Sequence, residues 1–166
     1  MENRANAREI PPLNIRGAKI VKRNFAGRRE EHNNVVMNCE GNRYFTIRID
    51  DPELANSLLA DGWKIRAGKL RNEDDEPRWY MDVKVAFNEY YPTKICMYSG
   101  NTRKELNEDT CASLDRARII NADMTVRPRY WEVNGKSGYK AYLKVLHATI
   151  EEEDPWADAY SQYDEQ

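Results

Sequence analysis

The sequence predicts a mainly β chain, folded as a small barrel with extra strands or hairpins and one or two short helices. Three observations carry that prediction. Runs in which apolar and polar residues alternate recur along the 166 residues. Gly, Asn and Pro residues of the kind that make turns separate these runs, and no regular strand-helix-strand repeat appears. The length suits one domain, large enough to bury a core without disulfides or metals.

Residues 1–13 are polar and end near Pro11-Pro12, which predicts a loose arm. The run 14–25 alternates as a strand, with Ala18, Ile20 and Lys22 opposed to Lys19, Val21 and Arg23. Residues 26–34 read as a loop. In RYFTIRID the residues Phe45, Ile47 and Ile49 face inward. Asp50 or Asp51 then caps a helix of about ten residues that starts at Pro52, packs Leu54, Ala55, Leu58 and Leu59, and stops at Gly62. WKIRAGKL (63–70) and RWYMDVKVAF (78–87) alternate again and are expected to pair as a hairpin across the acidic turn 72–77. Trp63, Trp79 and Phe87 fall on the apolar phase. KICMYS is a shorter strand, and 107–118 suits a short helix that packs Cys111, Leu114 and Ala117. The stretch 122–150 reads as a long hairpin in which Asn134-Gly135 and Ser137-Gly138 supply the positive-φ residues of the turn, with Pro128 marking an edge or a bulge. A chain of this size and pattern fits a five-stranded barrel of the oligonucleotide-binding kind.

Charge is segregated along the chain. Of 28 carboxylates seven lie in residues 151–166, which hold no Lys or Arg, leaving 21 in residues 1–150 against all 26 cations. A net charge of −2 conceals a basic body and an acidic tail, predicted to be disordered. A cationic body with an anionic segment of its own points to a polyanionic partner, nucleic acid first. No stretch has the roughly 20 apolar residues of a membrane span, and the first residues lack the apolar core of a signal peptide. A cytoplasmic protein is therefore expected. Cys39, Cys96 and Cys111 show no CxxC or CxxH spacing, and His32 and His147 stand far apart. Buried free thiols, no metal and no cofactor are expected.

The chemistry resides in cations mixed with aromatic rings on exposed strand phases. Single-stranded nucleic acid presents phosphates and base faces, so its binder needs Lys or Arg for one and flat rings for the other. Such pairings are Lys22, Arg23 and Phe25; Arg43 and Tyr44; Lys64 and Arg66 beside Trp63; Tyr80 with Lys84; and the dense set Arg127, Arg129, Tyr130, Trp131, Lys136, Tyr139, Lys140, Tyr142 and Lys144. Tyr130, Tyr142 and Phe25 lie beside cations, and Trp131 lies on the opposite phase from Tyr130. Two other readings stay open on the residues alone. Asp74 or Asp75 followed by Asp82-Val83-Lys84 has the pattern of a magnesium-dependent nuclease, and the same rings would serve a β-barrel adaptor for protein partners. In the tail, Trp156, Tyr160 and Tyr163 are spaced through Asp158, Asp164 and Glu165, a composition suited to docking in a basic, apolar pocket or to covering the body's own stacking surface.

The ordered segments RNFAGR (23–28), RYFTIRI (43–49), DGWKIR (61–66), WYMDVKVAF (79–87) and 113–154, densest in RPRYWEVNGKSGYKAYLK (127–144), resemble single-stranded DNA-binding proteins of tailed bacteriophages over roughly residues 14–154. The resemblance implies an oligonucleotide-binding barrel over 14–150, no catalysis, and a role in coating DNA during phage replication and recombination in the cytoplasm of the bacterial host. By position it implies that Arg23, Phe25, Lys64, Lys84, Arg127, Tyr130, Trp131, Lys136, Lys140 and Tyr142 contact DNA. It also implies a tail, 151–166, that competes with DNA or docks phage or host replication proteins such as a polymerase, helicase or primase. The expected assembly is a monomer or a homodimer.

Overall fold

The computed structural model describes residues 10–151. The expected arm is described only from Ile10, and of the expected tail only Glu151. In chain order the elements are β1 (Leu13–Ile15), β2 (Lys19–Asn24), β3 (Glu30–His32), β4 (Val35–Asn38), β5 (Arg43–Ile49), α1 (Pro52–Asp61), β6 (Arg66–Ala67), β7 (Trp79–Val85), β8 (Lys94–Ser99), β9 (Thr102–Leu106), a 3-10 turn (Cys111–Asp115), β10 (Ile119–Val133) and β11 (Lys136–Ile150).

The strand expected over 14–25 is two strands. Gly17 takes φ +60°, open to a residue without a Cβ, and its amide donates to Asp123 Oδ1 at 2.8 Å. That break lets β1 pair with β10 while β2 crosses over to pair with β5. The sheet then runs β1-β10-β11-β7-β5-β2. Its two ends are consecutive in the chain, and the Ala18 amide donates to the Ala122 carbonyl at 2.8 Å where they meet. With β1 and β2 as halves of one bent strand, the result is a five-stranded, partly open barrel of the oligonucleotide-binding kind. Along this path neighbours are antiparallel except β7 and β11, which, like β8 and β11 beside it, run parallel, through Ala141 opposite Val83 and Tyr142 opposite Lys84. The C-terminal half of β11 carries β8 instead, and β9 pairs onto β8.

The barrel interior follows the alternation. Phe45, Ile47, Ile49, Met81, Val83, Val85, Met124, Val126, Ala141 and Leu143 are buried together, and Phe25 stacks on Phe45 with centroids 5.3 Å apart and planes 20° from parallel. α1 begins as the sequence predicts, with Asp51 accepting from the Glu53 amide at 3.0 Å, and ends at Gly62, φ 94°, whose amide caps the Leu58 and Leu59 carbonyls. It seats Ala55 and Leu58 in the core, while Leu54 and Leu59 stay exposed.

Several expectations are corrected. The loop 26–34 enters a two-stranded hairpin, β3–β4, which the pattern hides because Val35, Val36 and Met37 are all exposed. The 63–70 run contributes only Arg66 and Ala67 to pairing with β7, whereas Trp63 bridges to Tyr139. The short helix over 107–118 is a five-residue 3-10 turn, which does bury Cys111 and Leu114. Asn134-Gly135 alone makes the hairpin turn, both residues at positive φ, whereas Ser137 and Gly138 already lie in the ladder opposite Glu132 and Trp131. Pro128 lies on β10 beyond the part that β1 covers, an edge where a missing N–H costs nothing. All three cysteines are free, but Cys39 is exposed.

Candidate nucleic-acid interface

Strands that pair side by side aim opposite residues to the same face, and the register lines up chemistry across the barrel. Tyr44 of β5 faces Lys84 of β7, Lys84 faces Tyr142 of β11, and Tyr142 faces Arg127 of β10. One rung across four strands thus alternates ring, cation, ring, cation. Lys84 Nζ stands 5.7 Å from the Tyr142 centroid, and Arg129 Cζ 5.1 Å from it on the β10 side.

The first three members of the rung, Tyr44, Lys84 and Tyr142, line a cleft of about 630 Å³. Five cations, Lys22, Lys64, Arg66, Lys84 and Lys140, line it with only two carboxylates, Glu30 and Asp82. Each carboxylate is committed. Asp82 accepts from Thr46 Oγ1 at 2.6 Å and pairs with Arg66 at 2.8 Å. Glu30 accepts from the Tyr44 hydroxyl at 2.8 and 2.5 Å and pairs with Lys22 at 3.3 Å, tying the β3–β4 hairpin to the cleft wall. Among the described residues no carboxylate lies within ion-pair distance of Lys64, Lys84 or Lys140. These three ammonium groups are available to phosphates, and partly exposed pairs such as Lys22–Glu30 exchange partners at small cost.

The same network shifts protonation. Burial alone pushes the Glu30 carboxyl up, yet hydrogen bonds from Tyr44 and Lys22, with the Lys22 charge and Asn24, outweigh it and leave Glu30 below its ordinary value. The Tyr44 phenol is raised, by burial first and then by its bond to Glu30. The Lys22 ammonium is raised, chiefly through the Tyr44 hydroxyl and then Glu30.

Of the residues expected to touch DNA, Lys64, Lys84, Lys140 and Tyr142 converge on this cleft. Alternation along β10 puts Trp131 with Arg127 and Arg129 on the side of Tyr142 and Lys140, and Lys64 Nζ stands 6.0 Å from the Trp131 ring. Tyr130 alternates to the other side, edge-on to Tyr139 at 5.7 Å. Arg127 and Tyr130 belong to an adjoining cleft rather than the main one.

Three further expected residues lie outside the cleft. Phe25 is 0% exposed beneath Phe45, so no face is open to a base. Arg23 spends its Nη1 on the Leu114 carbonyl at 2.8 Å and on the Ala117 carbonyl, closing the end of the 3-10 turn. Lys136 is exposed beside the hairpin turn, outside the cleft. Trp156, Asp158, Tyr160, Tyr163, Asp164 and Glu165 lie outside the described residues. The DxK pattern is taken up structurally: both Asp82 oxygens are engaged, Lys84 leans on Tyr142, and Asp75 accepts the Arg71 and Asn72 amides within its own turn. Among the described residues no three His, Cys, Asp or Glu side chains gather as a metal site.

Sequence reading passed over Glu30, Thr46 and the hairpin residues Met37 and Asn38 on the cleft wall. It also passed over Tyr90 and Tyr91, 85% and 67% exposed. The tyrosine pair before Pro92 in an otherwise polar loop was the available signal.

Fold and cleft together define a class: an oligonucleotide-binding type of barrel whose outer face carries a row of rings and cations. The model of a family described as putative phage ssDNA-binding domain matches residues 4–165, and the chain belongs to that family. A crystal structure of gp2.5, a single-stranded DNA binding protein encoded by bacteriophage T7, is similar over 89% of this chain and 94% of its own, at 10% identity and a TM-score of 0.39. No curated protein sequence matches.

Proposed function

We propose that the chain binds single-stranded DNA with little sequence preference, holding it across the rung Tyr44–Lys84–Tyr142. The observation that carries this reading is the alternation of ring and cation along that rung, over a cleft with five cations and two already-paired carboxylates. Stacking on a ring contributes about 1–3 kcal/mol per base and tolerates any base, while lysines track phosphates. Membership of a phage ssDNA-binding family supports the same reading. The biological role is to coat DNA during phage replication and recombination in the host cytoplasm, without catalysis. The engagement of both Asp82 oxygens supports the last point.

The acidic tail competes with DNA for the cleft, docks replication proteins, or does both. Its reach is sufficient. From Tyr142 to Glu151 the chain advances nine residues, about 30 Å of strand, and the fifteen residues beyond Glu151 can span about 50 Å.

A titration of labelled oligo(dT) by fluorescence anisotropy at two salt concentrations tests the binding. Affinity is expected to fall steeply as salt rises. Absence of binding at low salt, or binding indifferent to salt, overturns it.

A further inference from the structure

Tyr142 is a partition. On its far side from the main cleft lies a second cleft of about 390 Å³, and Tyr142 is the residue that lines both. Its walls include Tyr91, Arg127, Arg129, Tyr130 and Asn88, with no carboxylate among them. The main cleft, by contrast, carries two. Two guanidinium groups with the rings of Tyr91 and Tyr142, and no acid in the lining, suit a ligand that is both anionic and flat.

The wall formed by residues 86–93 is fastened in place. Thr93 Oγ1 donates to the Leu143 carbonyl at 2.7 Å and the Ala86 carbonyl at 3.1 Å, closing the loop at its base. Arg127 Nη2 donates to the Pro92 carbonyl at 3.2 Å, and the Tyr90 amide donates to Asn88 Oδ1 at 2.8 Å. Arg127 Cζ then stands 5.7 Å from the Tyr91 centroid. Tyr91 is 67% exposed despite these anchors, so it is held near a cation and offered to solvent. A tyrosine so placed provides a stacking face without a large ordering cost.

We propose that this cleft is a second nucleotide compartment, in which a base of the strand that crosses Tyr142 stacks on Tyr91 while its phosphate sits between Arg127 and Arg129. The proposal rests on the single-stranded DNA reading of the main cleft. Continuity through the shared ring makes the occupant a further stretch of the same strand. Arg129, which touches Tyr142 and lines the second cleft, faces the phosphate that joins the two compartments.

The test compares the full chain with its Tyr91→Ala variant against labelled oligo(dT) of increasing length. Tyr91 is exposed, so the variant is expected to fold. Short oligomers that fill only the main cleft should bind both proteins equally. Beyond a threshold length the variant should bind roughly tenfold more weakly, with a site size smaller by one or two nucleotides. An oligonucleotide carrying 5-iododeoxyuridine should cross-link to Tyr91 in the wild type only above that threshold. Equal affinities at every length, with wild-type binding intact, overturn the second compartment and leave the main cleft standing. A loss that is uniform down to the shortest oligomer also overturns it, because Tyr91 would then serve the main cleft. If the wild type binds no oligo(dT), both readings fall together.

Discussion

Arg129 lays its guanidinium 5.1 Å from the Tyr142 centroid and donates through Nη1 to the Tyr142 hydroxyl at 3.2 Å. Arg129 of β10 thereby fixes the Tyr142 ring of β11 where two cationic clefts meet. Tyr142→Ala should weaken oligo(dT) binding by about 1–3 kcal/mol, the worth of a stacked base. Tyr142→Phe keeps the ring face and loses only the hydroxyl contact, so it should retain most of the affinity. Anisotropy titrations of the two variants at one salt concentration separate stacking from hydrogen bonding.

Lys84 leans on the same ring from the β7 side, its Nζ 5.7 Å from the centroid, and has no carboxylate partner among the described residues. Lys84→Gln should reduce the slope of log affinity against log salt by about 0.7, one phosphate contact on a single strand. Titrations at four or more salt concentrations measure it. An unchanged slope would place Lys84 away from the phosphates.

Glu30 should have opposite effects on folding and on binding. Its carboxyl is lowered in the folded chain, so it contributes stability above the ordinary glutamate value of about 4.3, and this is lost as pH falls through the lowered value. Glu30→Gln should cost about 1 kcal/mol at neutral pH, from weakened bonds to Tyr44 and Lys22, and should flatten the acid limb of stability. The same change removes a negative charge from the cleft and frees Lys22, so DNA affinity should rise. Urea unfolding between pH 3 and 7, alongside titration with oligo(dT), reads both signs.

Gly138 has no room for a side chain. A Cβ there would lie 2.9 Å from the Gly62 carbonyl oxygen and 3.2 Å from Trp131 Nε1. The close approach matters because Tyr139 and Gly62 to Lys64 exchange backbone hydrogen bonds at 2.8 Å, which fixes Lys64 near Trp131. Gly138→Ala should destabilise the chain by about 1–3 kcal/mol, as overpacking does, seen as a lowered Tm.

Deleting residues 152–166 removes six carboxylates while keeping Glu151, which pairs with Arg118 at 3.4 Å. Oligo(dT) binding at low salt should tighten, and the difference should shrink as salt rises. Equal affinities at low salt would remove competition from the tail's roles.

Local pattern sufficed wherever one face of an element is buried. The β7 alternation identifies Met81, Val83 and Val85 as inward-facing, and Asp51, Pro52 and Gly62 delimit α1, because caps and pleats act over a few residues. It did not suffice where neighbours decide. Phe25 follows two cations and reads as exposed, yet Phe45 covers it. The β3–β4 hairpin buries so little that no alternation marks it, and β9, TRKEL, carries one apolar residue at its end.

By itself the sequence determined the β period, the turn chemistry at Gly62 and Asn134-Gly135, and the separation of a basic body from an acidic tail. Only the tertiary structure decided which rings and cations work together. Lys84 meets Tyr142 because β7 and β11 run parallel in one register, and Arg23 is tied to the Leu114 and Ala117 carbonyls because the 3-10 turn packs on β2. Side-chain period is a property of one strand, whereas the residue opposite is set by long-range pairing, which burial of the whole barrel core selects.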